Sequence, residues 1–321
     1  MHRSRALLVS VCALLVMALC PNLFAAATIA PYYSSNYTIT DLGQIPSVPD
    51  PFGGLNFVAG NYNLLLLGGD ANQSGGLFYA VPVTRGAGNH ITGFGSPSVF
   101  GTAGAYNDGG LAYGPGGVLF YTRYPTNEVG EIKPGSTSDD KIVDLSALGI
   151  ASSTGALNFV PPGFGGAGHL KISSWSGGEW YDVTFAPDGS GTYNLTSATY
   201  INSYPGGPEG FIYVPHGSPL FPGDNLLMAE YSAGTVGAYQ VDANGDPILG
   251  SRQDFILGLD GAEGAFIDPI TGDFLFSTFI SGSEIYEVRG FAPTVPEPSS
   301  LLLLGTGALS LAGIVGRKLN R

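Results

Sequence analysis

Gly210-Phe211-Ile212-Tyr213-Val214-Pro215 is one of five copies of a six-residue phrase, and its recurrence decides the fold. The others are Gly54-Leu-Asn-Phe-Val-Ala59, Gly110-Leu-Ala-Tyr-Gly-Pro115, Ala156-Leu-Asn-Phe-Val-Pro161 and Gly264-Ala-Phe-Ile-Asp-Pro269, with spacings of 56, 46, 54 and 54 residues along the chain. A small residue opens each copy, apolar and aromatic residues follow, and proline closes four of the five. Behind each phrase lies a second apolar run, for example Asn225 to Met228. A polar, Gly-rich turn leads to a third, for example Val236 to Tyr239. A fourth, outer run such as Ser251 to Leu257 fits four of the repeats. Units of about 50 residues with four strands match the blades of a β-propeller.

The fifth repeat reaches Phe291 without a fourth strand, whereas Tyr37-Thr38-Ile39-Thr40-Asp41-Leu42 at the front belongs to no repeat. Pairing the two closes the ring and removes an open sheet edge. The sequence therefore predicts an all-β chain with five four-stranded blades, closed by residues 36–43, over a domain spanning 28–292. A six-bladed ring with one unrecognised repeat is the alternative. Glycine opens the phrase because inner strands converge on the axis, where a Cβ would crowd the next blade. Proline ends the inner strand, where its missing N–H costs no ladder bond.

Both termini carry addresses. His2, Arg3 and Arg5, the apolar run Ala6 to Leu19 and the small residues Ala25-Ala26-Ala27 form a signal peptide over 1–27. A lipoprotein reading through Cys20 is weaker, because Leu19 rather than a small residue precedes it. At the other end, Pro296-Glu297-Pro298 is followed by 17 uncharged residues, Ser299 to Val315, and then by Arg317, Lys318 and Arg321. This arrangement over 293–321 resembles the PEP-CTERM sorting signal. The resemblance implies a bacterial protein exported to the envelope, cell surface or exterior, with Pro296, Glu297 and Pro298 read by an exosortase-type enzyme. The apolar segment 299–315 is just long enough to cross a hydrocarbon core, and the bases behind it would stay on the cytoplasmic side. An ordinary C-terminal membrane tail is the competing reading.

Cys12 and Cys20 both lie in the signal peptide, so the exported domain holds itself together by core burial rather than disulfides. Fifty glycines, 23 prolines and 12% charged residues suit short strands joined by tight turns. After removal of both termini seven bases remain against 24 acids, a net charge of −17. Such a field repels nucleic acid and anionic lipid, and it is compatible with divalent cations, neutral polysaccharides or basic partners.

The turns entering the first strands and those joining second to third strands share one face of a propeller, around the channel mouth. Asp108, Glu209 and Glu263 each stand just ahead of a phrase. Converging carboxylates of this kind could hold a hard cation such as Ca²⁺, with Glu209 and Glu263 as metal ligands. Pro208-Glu209-Gly210 and Ala262-Glu263-Gly264 resemble the Glu-Gly opening of gluconolactonase-type propellers, and that resemblance implies a metal-binding carboxylate. The plainer reading has these acids accept backbone N–H groups at neighbouring turns. Tyr124, Trp175, Tyr231 and Phe279 fall in or beside the second-to-third turns and suit sugar stacking, or else pack between blades. Trp180 is expected to pack.

Asp242-Ala-Asn244-Gly-Asp246 has the oxygen spacing of a calcium loop, but Pro247 and Gln253 stand where that loop requires glycine and glutamate, so it reads as a turn. The histidines outside the signal peptide, His90, His169 and His216, fall in different repeats without an evident partner, and no Gly-x-Ser-x-Gly elbow occurs. The expected function is a non-enzymatic, surface-associated propeller that binds exopolysaccharide or matrix protein. The alternative is a metal-dependent lactonase or carboxylate-based glycosidase at the channel. Sorting is tested by intact mass. In a host with an exosortase the protein should lose the residues beyond about Pro298, and a product retaining Arg321 would refute it.

Overall fold

The computed structural model describes residues 26–292; the signal peptide, all but its last two residues, and the sorting segment 293–321 with its apolar stretch 299–315 lie outside them. Two strands precede the first repeat: β1 (Thr28–Ile29) and β2 (Thr38–Gly43). Blade 1 follows with β3 (Leu55–Val58), β4 (Asn61–Gly69), β5 (Leu77–Arg85) and β6 (Ile91–Phe94), and β7 (Ser98–Val99) also pairs with β5. Blade 2 holds β8 (Asn107–Tyr113), β9 (Leu119–Arg123), β10 (Glu128–Ile132) and β11 (Lys141–Asp144). Blade 3 holds β12 (Thr154–Phe159), β13 (Leu170–Ser174), β14 (Glu179–Pro187) and β15 (Tyr193–Ser203). Blade 4 holds β16 (Pro208–Tyr213), β17 (Asn225–Glu230), β18 (Thr235–Gln240) and β19 (Gln253–Leu257). Blade 5 holds β20 (Ala262–Ile267), β21 (Phe274–Thr278) and β22 (Ile285–Arg289), with β2 as its fourth strand. The fold is a five-bladed β-propeller, and all pairings are antiparallel.

Each recurring phrase is an inner strand, and its glycine is held by close approach. A Cβ on Gly210 would lie 2.4 Å from the Glu263 carbonyl oxygen and 2.5 Å from the Ala265 nitrogen of the next blade; one on Gly110 would lie 2.4 Å from the Leu157 nitrogen. Backbone at those separations cannot yield, so only glycine fits. The inner strands of blades 2 to 5 also carry a bulge at this point: register shifts between Asn107 and Leu111, Thr154 and Leu157, Pro208 and Phe211, and Ala262 and Ala265. A bulge leaves backbone groups without ladder partners. Hydroxyls on the second strands take their place in three blades. The Gly110 and Gly264 amides donate to Thr122 and Ser277 Oγ at 2.9 Å, and Ala156 to Ser173 at 3.0 Å. Thr122 then donates to Gly155 and Ser277 to Gly53, each across to the next blade.

Closure is double. β2 pairs with β22 from Thr38↔Arg289 to Gly43↔Ile285. On the other side of the seam, Arg85 of blade 1 forks onto Asp268 of blade 5 at 2.5 and 3.1 Å, and Glu287 accepts the Ile91 amide at 3.0 Å. The front segment does more than the sequence predicts. β1 adds a fifth strand to blade 4 through Thr28↔Leu257, and Tyr33 and Tyr37 sink among Phe221, Phe255 and Phe291 before the chain crosses to blade 5. Phe291 stacks on Phe274 at 3.8 Å, and the Ala292 amide donates to Ser218 Oγ at 3.1 Å. Ser218 lies between β16 and β17, so the described chain ends there. Among the described residues no helix is long and apolar enough to cross a membrane.

Deleting residues 28–45 should expose β22 and β19 as edges and remove two buried tyrosines. Burial of two such rings contributes roughly 3–6 kcal/mol, which predicts a fall in melting temperature on the order of 10 °C or more, with aggregation. A deletion variant melting with the parent would rule out closure by this segment.

Candidate functional site

The bulges aim the site. Asp108, Glu209 and Glu263 sit at the bulged positions of blades 2, 4 and 5, so each carboxylate turns toward the channel rather than along its sheet. Blade 3 has Gly155 at the equivalent place. A Cβ there would meet Glu209 Oε2 at 2.7 Å, and one on Gly109 would meet the same oxygen at 2.9 Å. Two glycines from neighbouring blades thus make the room that Glu209 occupies. One oxygen from each of the three acids lies within 4.8 Å of the others.

All six residues singled out from sequence, Asp108, Tyr124, Trp175, Glu209, Tyr231 and Glu263, line one cavity of about 320 Å³ at the channel mouth. The acids form its floor, exposed to only 3%, 4% and 2% for Asp108, Glu209 and Glu263. Half-buried aromatic rings form its wall, each meeting the next edge to face: Tyr124 and Trp175 at 6.3 Å, Trp175 and Tyr231 at 6.0 Å, Tyr231 and Phe279 at 6.0 Å. Trp175 Nε1 donates to Ser232 at 3.0 Å, which fixes the indole between blades 3 and 4.

The acids are not held as backbone acceptors alone. Asp108 accepts from Asn72 and the Gly109 amide and shares a hydrogen bond with Glu263. Glu209 Oε2, Glu263 Oε1 and Asn72 Oδ1 are buried without a partner. Burial pushes all three carboxyl groups above their ordinary range. For Glu209 the neighbouring Asp108 adds to this, and for Glu263 so do Glu209 and Asp108; for Asp108 the hydrogen bonds pull back, leaving it at about 7.

Phe279, another of the second-to-third turn aromatics, also lines the cavity, as does Asn72, which the sequence reading did not choose. Asn72 stands in the turn between β4 and β5 at φ 65°, a left-handed conformation that asparagine tolerates, and its amide is fixed by Asn107 O at 2.9 Å. A turn asparagine on the shared face was the available signal. Trp180 is fully buried against Phe211, and its Nε1 donates to Asp246. Asp246 also pairs with buried Lys171 at 2.6 Å, and Asp242 accepts the Asn244 and Asp246 amides, so the calcium-like spacing is a turn with its last carboxylate already taken. The histidines do have partners, contrary to the sequence reading: His90 meets Asp273, His169 meets Asp182 and His216 meets Asp224. All three pairs belong to the opposite end of the blades from the cavity.

A PEP-CTERM protein-sorting motif matches residues 294–319, which marks an exported protein recognised by an exosortase at the cell envelope. No curated protein matches the chain. Among solved structures, a Trichoderma reesei member of carbohydrate-active enzyme family AA12 shares the fold with TM-score 0.50 at 10% identity, over 84% of this chain and 98% of that one. A Bacteroides ovatus auxiliary nutrient binding protein gives 0.44 at 13% identity, over 79% and 76%. A putative gluconolactonase gives 0.44 at 15%, over 84% and 88%. At such identities the likeness is one of fold.

A carboxyl group raised in the folded state binds its proton more tightly folded than unfolded. Its contribution is complete below the ordinary values of 3.8 and 4.5 and is lost as pH rises through the folded value. The ligand-free protein should therefore lose stability, on the order of a few kcal/mol, between about pH 5 and pH 8. Glu209→Gln and Glu263→Gln should flatten that decline in melting temperature. Parallel profiles for parent and variants would refute this account.

Proposed function

We propose that this chain, an exported propeller ending in a PEP-CTERM sorting motif, is a non-enzymatic binding protein whose ligand seat is the cavity at the channel mouth. Its partner is a glycan of the extracellular matrix. The observation that carries this reading is one cavity combining an aromatic wall with an oxygen-rich floor. Sugar rings offer C–H faces that stack on aromatic planes and hydroxyls that need acceptors, and the cavity supplies both. Among the described residues no serine, cysteine or histidine lines the cavity, which supports binding over nucleophilic chemistry.

A second reading, a metal-dependent lactonase, is favoured by the unpartnered oxygens of Glu209, Glu263 and Asn72 beside Asp108. These four would suit a hard cation such as Ca²⁺, which takes oxygen ligands and would polarise a carbonyl.

Calorimetry of the exported protein against matrix polysaccharide from the producing cells should show saturable binding, weakened at least tenfold by Trp175→Ala with the fold intact. Binding unaffected by that change would sink the proposed seat. For the second reading, chelator should lower the melting temperature and Ca²⁺ restore it in the parent but not in Glu209→Gln. A melting curve indifferent to both would dispose of the metal.

A further inference from the structure

The floor of the cavity holds three buried carboxylates and the protein supplies nothing to balance them. Each of the seven bases among the described residues is already engaged elsewhere: Arg85 with Asp268, Arg123 with Glu128 and Asp139, Lys133 with Asp140, Lys141 with Asp188, Lys171 with Asp182 and Asp246, Arg252 with Glu230 and Asp254, and Arg289 with Glu287. None of them lines the cavity. Glu209 and Glu263, each more than nine-tenths buried, line it, and each carries a buried oxygen without a partner. An uncompensated buried charge is costly, and a counter-charge relieves that cost. With no base at hand, it comes as a proton held on the raised carboxyl groups or, once they ionise, with a cationic ligand.

The wall says what kind of cation. Four rings, Tyr124, Trp175, Tyr231 and Phe279, surround a space of about 320 Å³, far larger than one ion. Aromatic faces carry negative quadrupole charge and attract ammonium groups, but they do not ligate a hard metal. A neutral sugar would stack on the rings and leave the carboxylates unbalanced. The field of the floor reaches the wall, since the Tyr231 hydroxyl is pushed up by burial and then by Glu263, Glu209 and Asp108. A ligand with a positive nitrogen on an organic body uses both surfaces and also balances the ionised floor.

We propose that the cavity binds an organic ammonium group, its nitrogen over Asp108, Glu209 and Glu263 and its body against the Trp175 and Tyr231 rings. The inference rests on the cavity being the ligand seat, and it narrows the ligand to amine-bearing molecules. Two sources share this chemistry, an amino-sugar unit of a de-N-acetylated polysaccharide and a free small ammonium compound.

The test is calorimetry of the exported protein, freed of metal by chelation, against four probes: glucosamine tetramer, its N-acetylated counterpart, cellotetraose and choline. An ammonium probe should bind at least tenfold more tightly than both neutral tetramers. Glu263→Gln and Trp175→Ala, each melting as a folded protein, should each weaken it tenfold or more. Choline carries a charge that does not titrate, so its affinity should rise from pH 5 to pH 8 as the floor ionises. Binding of choline without either tetramer supports the inference and removes the glycan reading. Neutral tetramers binding as tightly as the glucosamine tetramer would overturn the inference and leave the glycan reading in place. No binding of any probe would overturn both.

Discussion

The molecule depends on backbone meeting backbone at the axis. Inner strands approach the next blade so closely that Gly110 and Gly210 admit no Cβ, and the local bulge that permits this approach also sets the site. A regular strand would send successive side chains alternately into the two faces of its blade. The bulge breaks that alternation for one residue and turns it inward. Where that residue is acidic, in blades 2, 4 and 5, the channel acquires a carboxylate. Where it is Gly155, the channel acquires space. Architecture and chemistry are thus decided at the same positions, so the inner strands cannot be altered for one without disturbing the other.

Stability is placed away from this acidic centre. Aromatic and aliphatic clusters fill the bulk, and paired charges add to them, Arg252–Glu230 within blade 4 and Arg85–Asp268 between blades 1 and 5. Without disulfides, the ring relies on many modest contacts and on a closed edge. That reserve lets the channel mouth hold three acids whose burial opposes folding.

The number of blades and the closing strand were legible in the sequence because repetition is a property of order, and each phrase needs only its neighbours to make sense. The convergence of Asp108, Glu209 and Glu263 followed from the same periodicity, as did the placing of Tyr124, Trp175 and Tyr231 on one mouth. What stayed hidden required distance. Nothing in the spacing of Thr122, Ser173 and Ser277 announces that their hydroxyls stand in for ladder bonds, and blade 4 has Ala229 there, so the pattern is broken as well as subtle. The aspartate partner of His90 was missed because Asp273 lies 183 residues away and meets it only when the ring closes, whereas Asp182 and Asp224, 13 and 8 residues from His169 and His216, were near enough in sequence to have been considered. β1 escaped notice because two residues make no pattern.

The contact between Ala292 and Ser218 gives the particle a polarity. Glu209 lies near the start of β16 and Tyr231 follows the end of β17, whereas Ser218 lies in the turn at their other ends, so the described chain ends on the face opposite the cavity. The last described residue and the cavity thus lie at opposite ends of the blades, so the described C-terminal end does not crowd the mouth of the channel.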